Sequence, residues 1–399
     1  MAVRILLTTT LNWPSTARLA GAFAGVGARV DALFPRGHVL GSSRFVAARH
    51  RYTAWAPLTA LARAIATAEP DLVVPCDDRA LSQLMRLDRE PFHALIARSL
   101  GAPQNYSALT ARSTFIGSAR AAGIAAPQTI LVPHESLLDS ALEETGFPAV
   151  LKADGSWGGE GVAIARSAGQ AHEIFRRFAA PPSRARSLAR AALRHDVHFL
   201  REMVRPREMT VSVQRFVSGK PATSAFACWK GRVLAAIHMD VVETLHATGP
   251  ASVMRRSDCP LMDKAVVRIA ERFGLSGLHG LDFMRDEQGV PQLIEINPRA
   301  TQASAFAFGP GYDLAAALAE SISPSVQGAR PAATANPVIA LFPQEWRRNP
   351  HSPWLSSAFL DVPWDDPGVL RACLAPGEPA PQRRPDAAPQ PGLALAKAH

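Results

Sequence analysis

The chain has 399 residues, 43 Lys+Arg against 34 Asp+Glu and a formal net charge of +9. Its length predicts two or three domains, and 47% hydrophobic against 19% charged residues excludes a disordered chain. No apolar run nears the roughly 18 residues that span a bilayer, residues 1–10 are too short for a signal segment, and no Lys/Arg block is interleaved with aromatics, so neither a membrane nor a nucleic-acid partner is expected.

Residues 3–9 read as a buried strand, 14–26 as a helix, 30–34 as a strand, 58–68 as a helix and 71–75 as a third strand ending in Cys76-Asp77-Asp78. This alternation predicts a parallel, doubly wound α/β sheet. No G-x-G-x-x-G follows the first strand, which argues against dinucleotide binding there. A helix is expected over 110–126, closed by Gly123 and Pro127, then a strand at 129–132, a helix at 135–145 and the strand PAVLK. Residues 180–194 read as an arginine-rich loop and helix. Strands are expected at 209–216, 222–229 and 233–242, a helix at 261–273, and strands at 280–285 and 292–296 around a hairpin turn at 286–289. Residues 337–346 read as a strand and 361–367 as an ordered turn. Thirteen of the 33 prolines fall beyond residue 330, and from 375 onward the composition predicts a disordered tail. The four cysteines (Cys76, Cys228, Cys259, Cys373) lack any C-x-x-C spacing, so neither a zinc site nor a disulfide framework is predicted, and a reducing cytoplasm is the expected compartment.

Two constellations carry chemistry. The first is Lys152 followed by Asp154-Gly155-Ser156-Trp157-Gly158-Gly159-Glu160-Gly161. Closely spaced glycines let backbone N–H groups turn toward an anion, and Lys152 adds a fixed positive charge beside them. The lysine precedes the glycines, so this is no Walker A loop. The same residues would also suit a plain hairpin turn between Leu151 and Val162. The second is Asp282, then Glu295 and Asn297. On a strand, residues i and i+2 share a face, so Glu295 and Asn297 point the same way, and Asp282 on the neighbouring hairpin strand can face them. Two carboxylates and an amide oxygen are a hard, oxygen-only set suited to Mg²⁺ rather than zinc. Surface acids on a hairpin are the plain alternative, but both carboxylates are embedded in apolar runs (GLDFM, LIEI), where a buried charge needs a partner.

Together, in this order, FPAVLK, the Gly-rich loop and LIEINPR resemble the ATP-grasp superfamily over roughly residues 106–325. The likeness is to the synthetase component of carbamoyl-phosphate synthetase and to solitary bacterial ATP-grasp ligases. It implies an α/β (α+β) ATP-grasp fold behind an N-terminal doubly wound parallel-sheet domain. The implied divisions are an N-terminal domain at 1–105, an ATP-grasp domain at 106–330 with lobes at about 106–203 and 204–330, a small C-terminal module at 331–374 and a tail at 375–399. The resemblance implies that Lys152 and Arg112, the latter eleven residues before Gly123, hold the ATP phosphates. It puts Gly158, Gly159 and Gly161 over the phosphates, the Glu202-Met203-Val204 hinge against the adenine, and Glu208 near the ribose. It makes Asp282, Glu295 and Asn297 the ligands of Mg²⁺, with Mn²⁺ as a substitute. Arg299 becomes the arginine that stabilises the transferred phosphoryl group and acyl phosphate. Arg201 and Arg205-Pro206-Arg207 depart from the usual hinge pattern.

The implied activity is an ADP-forming carboxylate–amine ligase with ATP and small-molecule carboxylate and amine substrates, the alternatives being a member that uses another nucleophile or bicarbonate (thiol ligase, kinase or carboxylase type) or a non-catalytic ATP-binding protein, with a homodimer as the oligomer the family allows. Such chemistry requires positioning and charge neutralisation rather than a covalent nucleophile. His198, His238, His246 and His279 are accordingly expected to be structural, Thr248-Gly249 to border the site, and the arginines of 180–207 to form a solvated face.

Overall fold

Short apolar runs, largely buried, build three of the four strands of the first sheet. The computed structural model describes residues 2–153, 161–180, 210–246, 249–324 and 326–375. Strands β1 (Arg4–Thr8), β2 (Arg29–Phe34), β3 (Ala48–Arg51) and β4 (Leu72–Pro75) are parallel, in the order β3-β2-β1-β4. The chain runs outward from β1 to β3 and then crosses back to β4, so its connections diverge between β1 and β4. Beyond the carboxyl ends of such a pair an open α/β sheet leaves a crevice. Here it is edged by Thr9–Leu11 and by Asp77 and Asp78. The buried Asp77 caps the helix Asp78–Arg86 through Ala80 N (2.8 Å) and also accepts from Thr9 Oγ1, Thr10 N, Thr10 Oγ1 and Leu11 N. Strand β3, Ala-Arg-His-Arg, carries no apolar period and escapes the sequence pattern; it is a charged edge strand.

The second sheet is antiparallel, with β5 (Thr129–Val132), β6 (Ala149–Ala153), β7 (Val162–Ala165) and β8 (Val211–Arg215) in the order β5-β8-β6-β7. The third holds β9 (Lys220–Trp229), β10 (Arg232–Thr244), β11 (Ala251–Arg256), β12 (Gly277–Arg285), β13 (Pro291–Asn297), β14 (Val338–Leu341) and β15 (Phe359–Asp361), in the order β13-β12-β9-β10-β11-β14-β15. Two strands from beyond residue 330 thus complete the third sheet. The strand expected over 337–346 stops at Leu341, because Pro343 has no N–H for the ladder and opens the helix Gln344–Arg348 instead. Likewise the helix expected over 110–126 is Arg112–Ala121. Gly123, at φ +72°, turns the chain, and Ile124 N closes back on Ala119 O at 3.1 Å.

Alternation along β9 assigns its two faces. Phe226 and Cys228 meet the helix Pro260–Phe273, whose inward residues Met262, Ala265, Val266, Ile269, Ala270 and Phe273 recur at helical spacing. Ala225 and Ala227 join the main core with Leu7, Phe23, Leu314, Leu318 and Leu341. That core runs from the first sheet to the third without a break, so the parallel sheet is packed against the seven-stranded one.

One seam between them is backbone on backbone. Ala102 N donates to Gly274 O (3.0 Å) and Ser276 N to Leu100 O (3.2 Å), with Gly101 at φ +100° between them. A Cβ on Gly101 would lie 2.2 Å from Gly274 O. Gly101→Ala should therefore lower the unfolding free energy by about 2–3 kcal/mol, read as a lower urea midpoint at unchanged slope. A second expectation concerns pH. Burial lowers His38 and His279 to about 4 from the usual 6.5. Between those values the unfolded chain binds protons that the folded chain refuses, so stability falls as pH drops from about 6.5 to about 4. His38→Gln should flatten that acid limb in urea titrations across pH, and an unchanged slope would count against the assignment.

Candidate active site

Strand β6 runs toward the third sheet and ends beside it. Lys152 is buried there between Leu151 and Ala153, with Val162 and Ser212 as its cross-strand neighbours. Its ammonium donates to Ile294 O on β13 at 3.1 Å. Arg112, the first residue of its helix, reaches the same place. Its Nε and Nη2 donate to Glu295 Oε1 at 3.2 and 2.9 Å, and its Nη1 donates to Ala153 O. Gly161, the last glycine of the loop, accepts from Ala153 N (2.8 Å) where β7 begins.

The acids come from the β12–β13 hairpin, whose register sets Asp282 directly opposite Glu295. Their neighbours Leu281 and Ile296 go to the apolar core, so both carboxylates and Asn297 face away from it. Asp282 accepts from Thr223 Oγ1 (2.8 Å) and from Asn297 Nδ2 (2.7 Å). Like charges directly opposite on a sheet destabilise it. Burial and then the neighbouring Glu295 push the Asp282 carboxyl up, with partial relief from Thr223 and Asn297. Burial also acts to raise Glu295, but Arg112, Lys152 and Arg299 outweigh it and hold that carboxyl below the usual range.

Arg299 follows the strand. Its guanidinium grips Asp78 with two parallel bonds (Nε to Oδ1 2.9 Å, Nη2 to Oδ2 3.0 Å) and also donates to Asn297 Oδ1 (3.0 Å) and Ala300 O (3.2 Å). Ala300 N in turn donates to Pro75 O (3.0 Å), tying the segment to the end of β4. Asp78 stands at the crevice of the parallel sheet. Sequence reading noted it only as the end of a strand. The sole hint was its place, directly after an N-cap aspartate at a strand's carboxyl end.

Lys152, Arg112, Asp282, Glu295, Asn297, Arg299 and Gly161 are thus brought together from both lobes. Two carboxylates beside an amide oxygen fit a hard divalent cation that takes its remaining ligands from phosphate and water. The stress on Asp282 is what such a cation would relieve. Among the described residues no group of three or more His, Cys, Asp or Glu forms a metal cluster.

Gly158, Gly159, Trp157, Glu202, Met203, Val204, Glu208, His198, Thr248 and the arginines of 181–207 lie outside the described residues, as do residues 376–399. His238 is buried between Ser224 Oγ (2.8 Å, at Nδ1) and Asp263 Oδ1 (2.8 Å, at Nε2). Ser224 has no exposure, so this serine–histidine–aspartate chain ties strands to a helix and offers no nucleophile. His279 is buried with Nε2 against Ser276 O at 2.8 Å. His246 is exposed, and Gly249 N closes a turn onto its carbonyl at 2.8 Å. All four cysteines are free.

Comparison with known proteins follows this geometry. No curated protein matches the chain. Three solved structures share its fold. Biotin carboxylase from Campylobacter jejuni is 13% identical at TM-score 0.57, covering 82% of this chain and 73% of that one. N5-carboxyaminoimidazole synthetase from Staphylococcus aureus, complexed with ADP, is 14% identical at TM-score 0.57, covering 83% and 80%. L-amino acid ligase from Bacillus licheniformis is 14% identical at TM-score 0.55, covering 81% and 76%. At these identities the likeness is one of fold. Residues 112–322, more than half the chain and the span from Arg112 through Arg299, match the family described as carbamoyl-phosphate synthase L chain, ATP binding domain. The chain belongs to that family and has the ATP-grasp fold.

Proposed function

We propose that this chain is an ATP-dependent, ADP-forming carboxylate–amine ligase that works through an acyl phosphate on an amino acid or other small carboxylic acid. The observation that carries the reading is the facing pair Asp282 and Glu295, ringed by Lys152, Arg112 and Arg299. Such a set suits a polyphosphate and its counter-ion. ATP belongs between β6 and the β12–β13 hairpin. Lys152 and Arg112 hold its phosphates, and Asp282, Glu295 and Asn297 would hold Mg²⁺, which neutralises phosphate charge when bound.

A carboxylate is a poor electrophile. Its attack on the γ-phosphorus breaks the bond to the β–γ bridging oxygen, releasing ADP and giving an acyl phosphate with a good leaving group. An amine then adds to the acyl carbon, phosphate departs, and the nitrogen loses a proton. Charge moves onto the transferred phosphoryl oxygens, where a fixed guanidinium acts best. Arg299 is fixed by Asp78 and Asn297, so it has little reorganisation to perform.

The decisive experiment is an ADP-release screen over paired acids and amines, repeated with hydroxylamine. A hydroxamate supports the acyl phosphate; acid-dependent ADP release without one would sink it. Lys152→Met should cost about 10²–10³ in kcat/KM for ATP in the same assay. Glu295→Ala should abolish turnover with the circular dichroism spectrum intact, and full activity would exclude the metal assignment. Asp282→Asn removes a carboxylate that faces another. Without Mg²⁺ its Tm should equal or exceed the parent's, while the parent's Tm rise on adding Mg²⁺ and ATP should vanish. A preserved rise would count against Asp282 as a ligand.

A further inference from the structure

Arg256 ends β11 and differs from its kind. Each of the other half-buried arginines, Arg18, Arg112, Arg268, Arg285, Arg299 and Arg330 among them, bonds an oxygen. Arg256 is half-buried too, yet among the described residues no oxygen accepts from its side chain. Two rings flank it instead. Its guanidinium carbon lies over Tyr312 at 4.3 Å from the ring centroid and over Phe308 at 5.1 Å. Phe308 is buried and Tyr312 is 38% exposed, so the guanidinium stands where the core meets solvent. The rings sit on a closed turn. Ala307 and Asp313 form a bridge, Phe308 N donates to Tyr312 O (3.1 Å) and Tyr312 N to Gly309 O (3.0 Å). Asp313 is gripped by Arg330 and caps the helix Leu314–Ile322. The sheet fixes the arginine from its own side: Arg256 pairs with Met239, and its N donates to Pro337 O at 2.7 Å. Cation and ring faces are thus in place before any ligand arrives.

Strand register locates the group. Asp282 is opposite Thr223, Thr223 opposite Met239 and Met239 opposite Arg256, so the four form one row across β12, β9, β10 and β11. Residues paired in this way share a face. Arg256 is therefore on the side of the sheet that carries the acids, three strand spacings or about 14 Å from Asp282. An aromatic face attracts the flat side of a guanidinium and leaves its N–H edge to meet an acceptor in the plane. That edge is a fork, which matches the two oxygens of a carboxylate. One positive charge balances one carboxylate. A phosphate monoester brings nearly two negative charges, and the adjacent cation, Arg255, is on the opposite face of β11. We propose that Arg256, set by Phe308 and Tyr312, binds the carboxylate of a small molecule. Two kinds of molecule bring such a group: a ligase substrate, through a carboxyl that does not react, and a separate effector. Only the first of these rests on the ligase reading.

The test is isothermal calorimetry on the full chain with benzoate, succinate and L-glutamate, against benzamide and inorganic phosphate as controls. At least one carboxylate should bind saturably while neither control does. Arg256→Gln should weaken that binding about tenfold or more. Tyr312→Leu keeps the charge and removes the exposed ring, and should weaken it about threefold. Mg·ATP binding, followed in parallel, should persist in both variants and shows that each is folded. The proposal is overturned if no carboxylate binds, if either folded variant binds it as the parent does, or if phosphate binds as tightly as the carboxylate. The ADP-release assay separates the two sources. A higher KM for the acid or the amine in Arg256→Gln, at unchanged kcat, makes the ligand a substrate. An unchanged KM, with carboxylate binding lost, makes it an effector. Absence of ATP turnover in the parent with carboxylate binding intact would remove the ligase reading and leave the site standing.

Discussion

Two carboxylates set face to face on adjacent strands are a poor way to stabilise a hairpin, and the site is organised around that fact. Asp282 and Glu295 are held in register by the apolar residues beside them, Leu281 and Ile296, which go into the core beneath the helix Pro260–Phe273. The core therefore enforces what electrostatics resists. The cations answer unequally. Arg112, Lys152 and Arg299 hold the Glu295 carboxyl below its usual range, whereas that of Asp282 is pushed up, with a threonine and an amide as its bonded partners. That imbalance is what the proposed divalent cation would relieve.

The excess of arginine over lysine also finds a structural use. Several arginines are cross-links between distant segments: Arg18 to Asp361, Arg112 to Glu295, Arg285 to Asp240, Arg299 to Asp78, Arg330 to Asp313 and Arg348 to Glu243. Most are partly buried, and Arg330 meets the fully buried Asp313 with two parallel bonds at 2.8 Å. A planar guanidinium keeps its charge and its fork under burial, which an ammonium does not. Lys152 is the counterexample that fits the argument. Its compact ammonium, buried at the end of β6, donates to Ile294 O, and a point charge of that kind is what the proposed phosphate site would use.

What the sequence made legible follows from how local each signal is. Glu295 and Asn297 could be read because strand alternation gives them one face, Lys152 because it ends an apolar strand just before the glycines, and Asp282 because the Asp286–Gly289 turn fixes its hairpin. The helix Pro260–Phe273 was legible from its period. The helix Leu314–Ile322 was missed because it is apolar nearly all round, buried between the first and third sheets. Strand β3 was missed because it is charged. Asp78 was illegible for another reason: its partner is Arg299, 221 residues away, and nothing in either neighbourhood announces a pairing across domains. The same holds for Asp361, which meets Arg18 only once the third sheet is assembled.

Those long-range contacts explain why the outer segments accompany an ATP-grasp unit. The main core joins residues of β1 and the helix Pro14–Ala24 to β9, β10 and β14, so the parallel sheet cannot move independently of the seven-stranded one without exposing that core. Asp77 fixes the loop after β1 and the start of its own helix together, and Asp78, the next residue, holds Arg299. Arg299 is thus placed from two sides: by the hairpin that carries the acids, and by the crevice of a sheet that carries neither Lys152 nor Arg112. The arrangement sets the orientation of that guanidinium by tertiary packing rather than by its own loop. A reaction whose barrier depends on charge already pointing the right way gains most from such an arrangement.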